Sequence, residues 1–249
     1  MKSRFPTLTG ALLVGCLTLG LAAPAMAQDD VEPEDGAESE EHSLPTLKRR
    51  CHEAIDTRLD DLAKAQARVE NVVALTPAHE LAIDGIIDAT QTGLTVLQNQ
   101  VEAADEPQAV VRLCATVAPG YRVYLVVLPQ THLTVGADRS QAAVRAGSDV
   151  IDQLDEALER ADAAGVDITE AQALRDQALV HLDAANAAND GIADAVLAVT
   201  PESFNNGAGG PVLDAARGDL RTTHAELQAS SADAKAAAAA LQDALSAVA

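Results

Sequence analysis

Apolar residues recur every three or four positions along most of the chain, which is the spacing of one face of an α-helix. Thr76-Pro77 interrupts this pattern and suits a helix start, with threonine as the cap and proline in the first turn. The first apolar face holds Cys51, Ile55, Leu62, Val69 and Val72. The second holds Ile83, Ile87, Thr90, Leu94, Leu97 and Val101, and the third Val110, Cys114, Val117, Tyr121, Tyr124 and Leu128. The periodicity therefore predicts three helices between residues 47 and 165.

Two further helical segments follow between residues 166 and 249. The fourth segment begins at Thr169, and its face holds Ala171, Leu174, Ala178, His181, Ala185, Ala188, Ile192, Ala195 and Val199. In the fifth segment a seven-residue spacing relates Leu213, Leu220, Leu227, Ala234, Leu241 and Val248. This spacing indicates coiled-coil-like packing. We predict an all-α fold, an elongated bundle of about five long helices, in which residues 166–249 form a two-helix hairpin.

The stretch 120–139, GYRVYLVVLPQTHLTVGADR, is the one part of the chain that looks like a β-strand. Its only neighbouring partner would begin after Pro129-Gln130, which is a poor sequence for a hairpin turn. Tyr121, Tyr124 and Leu128 continue the helical rhythm of the third segment. We therefore predict a central helix that is buried on more than one side and bent near Pro119-Gly120 and near Pro129.

A short motif occurs twice. Val72-Val73-Ala74-Leu75-Thr76-Pro77 is similar to Val196-Leu197-Ala198-Val199-Thr200-Pro201, and each follows a predicted long helix. The repetition has two explanations, duplication of a helical hairpin or the common way in which an Ala/Val-rich helix meets a Thr-Pro stop.

The chain resembles a group of secreted, all-helical proteins found chiefly in actinobacteria. The resemblance is carried by YRVYLVVLPQTHLTVGADR, by the later VLAVTPES and by the leucine heptads of the final helix. It covers most of the chain after residue 46 and implies an exported helical protein without implying an activity. Ala118-Pro119-Gly120 departs from the group, where polar helix-forming residues are expected before the tyrosine.

The N-terminal residues have the layout of a cleavable secretory signal. Lys2 and Arg4 precede an apolar stretch, and Ala25-Met26-Ala27 provides small residues before a cut between Ala27 and Gln28. A lipoprotein box ending at Cys16 is the rival interpretation, with a short apolar core before it. We expect a signal peptide at residues 1–27 and a secreted or envelope-associated protein. An acidic, disordered tether is expected at residues 28–46.

Removal of the signal peptide leaves two cysteines, Cys51 and Cys114. An even number of cysteines in an oxidising compartment favours a disulfide over a catalytic thiol. If the first helix rises, the second descends and the third rises again, both cysteines lie near the same end of the three-helix layer. The sequence thus predicts a bridge between Cys51 and Cys114, with two buried free thiols as the alternative.

The charge of the chain excludes several classes of partner. The formal net charge is −21, and aromatic residues make up 2% of the sequence. Such a protein lacks the basic surface that binds nucleic acid, and it is repelled by anionic lipid. We expect no transmembrane segment in the mature chain, no cofactor, no metal site and no catalytic residue, because histidine, serine and glycine form none of the usual motifs.

Two functions remain open. The export signal and heptad seams favour a structural or interaction protein, without enzymatic activity, that contacts an unknown protein partner or another copy of itself at or outside the cell envelope. The alternative is a secreted module that binds a small ligand or a cation at the bent helix. Its candidate residues are Tyr121, Tyr124, His132 and Arg139.

Overall fold

A computed structural model describes residues 43–248 of the chain. The expected signal peptide, the cleavage site between Ala27 and Gln28, and the acidic segment as far as residue 42 lie outside the described residues. Within residues 43–248 the fold is all-α and contains no β-strand, which confirms the predicted fold class.

The described residues form eight α-helices and one π-helical turn. The three helices of the first bundle are α1 (Leu44–Val69), α2 (Pro77–Ala103) and α3 (Pro107–Tyr121). The π-helical turn Val123–Val127 connects α3 to the long helix α4 (Leu128–Ala163). The remaining helices are α5 (Thr169–Asn189), α6 (Ile192–Leu197), α7 (Pro201–Asn205) and α8 (Gly209–Ala247).

Proline and threonine set the starts of several helices, as the sequence indicates. Thr76 caps α2 by accepting a hydrogen bond from the His79 backbone N–H, and Pro77 is the first residue of that helix. Thr200 and Ser203 form a reciprocal capping box at α7. Helix α1 begins at Leu44, three residues before the expected start at residue 47, with proline in its first turn.

The first bundle packs α1, α2 and α3 around one apolar core. Its buried residues include Ile55 and Leu62 of α1, Ile87 and Leu94 of α2, and Val110 of α3. These residues occupy the helix faces that the periodicity predicts. Burying an aliphatic stripe against another helix removes apolar surface from water and so stabilises the fold. Lys48 near the start of α1 donates a hydrogen bond to the carbonyl of Glu102 near the end of α2, so these two helices are antiparallel.

The second bundle packs α4, α5 and α8 together. Apolar clusters of α4, α5 and α8 residues run along it from Leu213 at the start of α8 to Leu241 near its end. Small side chains fill every second core position of α8, at a spacing of seven residues: Ala216, Thr223, Ser230 and Ala237. Small residues allow helix axes to approach closely, which accounts for the extensive packing of α8 against α5.

The predicted two-helix hairpin is interrupted at its corner. Helix α5 ends at Asn189, and the short helices α6 and α7 lie between it and α8. Gly191 has a φ of 68°, a left-handed conformation that glycine adopts without steric cost. The apolar spacing continues across this glycine, from Ala188 to Ile192. The sequence therefore predicts one continuous helix at a point where the chain turns.

The break in the central helix lies at Arg122, two residues after the predicted bend at Pro119-Gly120. Pro119 lies inside α3, and Pro129 occupies the first turn of α4. Arg122 has φ 45° and ψ 37°, the single non-glycine residue with positive φ among residues 43–248. Its carbonyl accepts hydrogen bonds from the backbone N–H groups of Leu125, Val126 and Val127, which opens the helix into a π-helical turn.

This turn changes which residues face the core. Before Arg122 the predicted rhythm holds, and Val110 and Val117 are buried. After it, Val123, Val126 and Val127 are buried. Tyr124, which the sequence placed on the apolar face, is 44% exposed. The left-handed residue and the wide turn rotate the later residues about the helix axis, so the predicted burial of Tyr124 is wrong.

Candidate functional site

Helix α4 carries several polar side chains that are buried in the core. Gln130 is 2% exposed, although glutamine rarely lies in a core. Its Nε2 donates to the carbonyl oxygens of Val196 at 2.8 Å and Val199 at 2.6 Å. These carbonyls belong to the end of α6, where a helix leaves carbonyl groups without intrahelical partners. Gln130 therefore closes the end of α6 onto α4.

Asp138 ties the start of α2 to α4. It lies two helical turns after Gln130 along α4. Its Oδ2 accepts a 2.7 Å hydrogen bond from the Thr76 backbone N–H. Its Oδ1 lies 2.8 Å from Nδ1 of His79. Asp138 is 5% exposed, so both contacts are made in the interior. Through Gln130 and Asp138, α4 holds the two Thr-Pro stops of the repeated sequence motif.

The His79–Asp138 pair resembles part of a catalytic triad but lacks the third member. In a triad the second ring nitrogen of histidine faces a nucleophilic hydroxyl or thiol. Here Nε2 of His79 faces Oδ1 of Asp194 at 3.6 Å, a carboxylate that belongs to α6. The histidine thus joins α2 to both α4 and α6.

Tyr121, the first predicted binding residue, is occupied by packing against α2. Its hydroxyl donates a 2.8 Å hydrogen bond to the carbonyl of Gly93. Its ring covers the α-carbon of that glycine, where a Cβ atom would lie 2.6 Å from Cε1 of Tyr121. Burial raises the pKa of the Tyr121 hydroxyl, which keeps it protonated and able to donate. Gly93 permits a contact between α2 and α3 that any larger residue would prevent.

Replacing Gly93 with alanine is expected to destabilise the protein by about 2 kcal/mol, because the new methyl group displaces the Tyr121 ring. Gly85 on the same helix is the matched control. A Cβ there would meet nothing within 4 Å, so Gly85→Ala should stabilise the helix by about 0.5–1 kcal/mol. Urea unfolding of both variants provides the measurement. A Tyr121→Leu background should remove most of the Gly93→Ala cost, and an unchanged cost would contradict the assigned contact.

Tyr124, the second predicted residue, faces α1. Its hydroxyl donates to Oδ2 of Asp61 at 3.0 Å, and the guanidinium of Arg58 lies 5.2 Å from its ring centroid. The pKa of Asp61 lies below its usual value because Lys64 and Tyr124 both donate hydrogen bonds to it. Burial and the neighbouring carboxylate raise the pKa of Tyr124. Tyr124 thus belongs to a polar contact between the π-helical turn and α1.

His132 and Arg139 complete the predicted set and do not join the tyrosines. Both are exposed residues of α4. Partial desolvation, with a contribution from the positive charge of Arg68, lowers the pKa of His132. Of the four residues, Tyr124 alone lines one of the two grooves described below. The four predicted residues are therefore spread over different helix contacts, and the structure does not gather them around a common cavity.

The surface depressions of residues 43–248 include two grooves. The larger has a volume of about 350 Å³ and lies between α1 and α3. Its lining is Leu47, Arg50, Cys51, Ala54, Val110, Val111, Cys114, Ala115 and Val117. The smaller, of about 160 Å³, lies beside Tyr124, Leu125 and Phe204. We call the larger one the α1–α3 groove.

The disulfide forms one wall of the α1–α3 groove. Cys51 is joined to Cys114 with their α-carbons 5.6 Å apart, the pairing that the helix heights predict. Because the bond ties the lower turn of α1 to α3, the groove has a fixed width at this end. The two cysteines are thus joined in a structural disulfide and are not free thiols.

The helical run Pro107–Ala163 contains an 18-residue stretch with a mean hydropathy of 1.4, long and apolar enough to cross a membrane by length and composition alone. Core helices of soluble proteins and signal sequences pass the same criterion. The expectation of a mature chain without a transmembrane segment stays a prediction. Only 28% of the apolar stretch is buried, so much of it faces outwards.

Sequence reasoning missed Gln130 and Asp138, and one signal could have found them. Starting from Val123, a helical spacing of three or four residues leads through Val127 to Gln130, Thr134 and Asp138. The rhythm that began at Val110 leads to Tyr124 and Leu128 instead. Choosing between the two rhythms requires knowledge of the break at Arg122. Among residues 43–248, His, Cys, Asp and Glu form no group of three that could hold a metal ion.

Comparisons of this chain with family models, with curated proteins and with solved structures found no match.

Proposed function

We propose that the protein is an exported, non-catalytic helical bundle that works as a structural or protein-interaction module at or outside the cell envelope. The single observation that carries this proposal is the α1–α3 groove, where Val111 is 50% exposed beside a rigid, disulfide-linked pair of helices. Apolar surface that the fold leaves uncovered at a concave site is typical of contacts with another molecule.

The distribution of polar groups supports the same function. The two long polar side chains buried on α4, Gln130 and Asp138, bond to helix ends within the molecule. Among residues 43–248, the ring of His79 faces the carboxylates of Asp138 and Asp194 and not a nucleophile. A rigid scaffold with an apolar groove on its surface suits recognition better than catalysis, since catalysis requires reactive groups that converge on a bound substrate.

Photo-crosslinking in the cells that export the protein tests this proposal. A photoreactive amino acid is placed at Val111, and in a second strain at Val180, which is 67% exposed on α5. We expect covalent adducts from position 111 and few from position 180. Adducts of equal yield at both positions, or none at position 111 together with a monomer in sedimentation, would contradict an interaction role centred on the groove.

The ligand-binding alternative has weaker support, because its four residues lie in separate contacts. A thermal-shift screen of the full chain with divalent cations and small anions distinguishes it from the interaction module. A shift that is abolished by Tyr124→Phe would favour the ligand module. Crosslinking at position 111 without any thermal shift would favour the interaction module.

A further inference from the structure

The corner between α7 and α8 holds the one Asn-Gly pair of the chain, Asn206-Gly207. Asn206 follows the last residue of α7, and both residues of the pair are exposed. Gly207 has a φ of 82°, and a Cβ placed there would meet nothing within 4 Å. The backbone nitrogen of Gly207 thus has open space around it and no side chain of its own to shield it.

The side chain of Asn206 is not held by the fold. Its amide makes no hydrogen bond within residues 43–248. The neighbouring Asn205 differs, because its amide donates to the Pro119 carbonyl at 2.8 Å and accepts from Nε of Arg122 at 2.6 Å. Asn206 is therefore free to turn towards the backbone that follows it, whereas Asn205 is fixed in place.

An asparagine followed by glycine is chemically labile without the help of an enzyme. The backbone nitrogen of the glycine bonds to the asparagine Cγ, the Cγ–Nδ2 bond breaks, and ammonia leaves with the proton of that backbone nitrogen. The product is a five-membered succinimide ring. Water then adds to one of the two ring carbonyls and opens the ring, which gives aspartate or isoaspartate. The only co-reactant is water, which the exposed corner admits.

Two features of the folded chain set the rate of this reaction. The Gly207 N–H donates a 3.0 Å hydrogen bond to the Phe204 carbonyl, and Asn206 has a ψ of 3°. The hydrogen bond has to open and ψ has to rotate before the backbone nitrogen reaches Cγ. Helix α7 is five residues long and ends at this point, and the ends of short helices open at little cost in free energy.

We propose that Asn206 is a self-modification site, at which the folded protein converts the asparagine into aspartate or isoaspartate as it ages. The change replaces a neutral amide with a carboxylate at the C-terminal end of α7, where the helix dipole disfavours negative charge. The isoaspartate product also adds one methylene group to the backbone between α7 and α8. Both products loosen α7.

Loosening of α7 reaches the break in the central helix. Asn205 and Phe204 hold Arg122 through a hydrogen bond and a ring contact. The backbone of Phe204 fits closely against Gly209, where a Cβ would lie 3.0 Å from the Phe204 nitrogen. Asn206 lies between these contacts, so a longer backbone there shifts α7 against α8. Arg122 then loses the partners that support its left-handed conformation.

Peptide mapping by mass spectrometry on the full, oxidised chain tests the proposal. The protein is aged for several weeks in mildly acidic and in mildly alkaline buffer. We expect an amide-to-acid conversion at Asn206, faster in the alkaline buffer because the attacking nitrogen has to lose its proton. Asn205 and Asn189, whose amides are bonded within the fold, are the internal controls and should remain asparagine. Conversion of Asn205 at an equal rate, or conversion of Asn206 in urea with none in the folded protein, would overturn the proposal.

Two variants test the consequence for the central helix. Asn206→Asp reproduces the new charge, and Asn206→Gln keeps an amide but would have to close a less favoured six-membered ring. Hydrogen exchange in the π-helical turn Val123–Val127 should rise about fivefold in Asn206→Asp and in the aged parent protein. Aged Asn206→Gln should keep the mass and the exchange rates of fresh protein. A modified parent protein with unchanged exchange in this turn would show that the assigned effect on the break is wrong.

Discussion

Replacing both Cys51 and Cys114 with alanine is expected to lower the free energy of unfolding by about 4 kcal/mol. The disulfide closes a loop between cysteines 63 residues apart in sequence. In the chain-entropy account, a loop of this size restricts the unfolded chain by about that amount. Helix α2 and both of its connections lie inside the loop, so the bond constrains the whole first bundle.

The measurement compares urea unfolding of the parent protein and the double variant under oxidising and reducing conditions. The unfolding midpoint of the parent should fall when the protein is reduced, whereas the midpoint of the double variant should not change with reductant. Hydrogen exchange provides a second readout, in which protection falls in α1 and α3 more than in α5 and α8, which lie outside the loop. A parent protein with the same unfolding midpoint in both conditions would contradict a stabilising role for the disulfide.

The disulfide and the first bundle were predictable because each depends on local sequence. Ile55, Leu62, Ile87 and Leu94 repeat at helical spacing and are all buried. Threonine and proline mark the start of α2 without reference to distant residues. Helix length then fixes which residues lie at the same height, and this placed Cys51 near Cys114.

The central region could not be predicted in the same way, because tertiary contacts decide its conformation. Arg122 adopts a left-handed conformation that is unfavourable for any residue with a Cβ. Its Nε donates to Oδ1 of Asn205 at 2.6 Å, and its guanidinium lies 5.6 Å from the ring centroid of Phe204. Both partners belong to α7, more than 80 residues away in the sequence. A break held by such contacts leaves no local signal.

The predicted binding residues failed to converge for the same reason. Tyr121 and Tyr124 lie on opposite sides of Arg122, and the break sends one ring towards α2 and the other towards α1. On an uninterrupted helix, residues three apart share a face. The α1–α3 groove was missed because its residues come from two helices and look like ordinary core positions in sequence.

The second large effect is expected at Asp138. Replacing it with alanine should lower the free energy of unfolding by about 3 kcal/mol, because the Thr76 backbone N–H and the His79 ring both lose a buried hydrogen-bond partner. Asp138→Asn keeps the shape and one acceptor oxygen, so it should cost about half as much. Asp152, exposed on the same helix, is the control, and Asp152→Ala should change stability by less than about 0.5 kcal/mol.

The place where Asp138→Ala loosens the structure shows whether the lost hydrogen bonds cause the loss of stability. Thr76 caps α2, so Asp138→Ala should increase hydrogen exchange in the first turn of that helix before exchange rises elsewhere. Gln130→Leu removes the corresponding contact with the end of α6 and should act there instead.

Because Gln130 and Asp138 bind different helix ends two turns apart, the two losses should be nearly additive. A double variant whose loss is much smaller than the sum would show that the two Thr-Pro stops form one cooperative contact. In that case α4 would hold the first bundle and the α6–α7 corner as a single unit, and loosening either helix end would release the other.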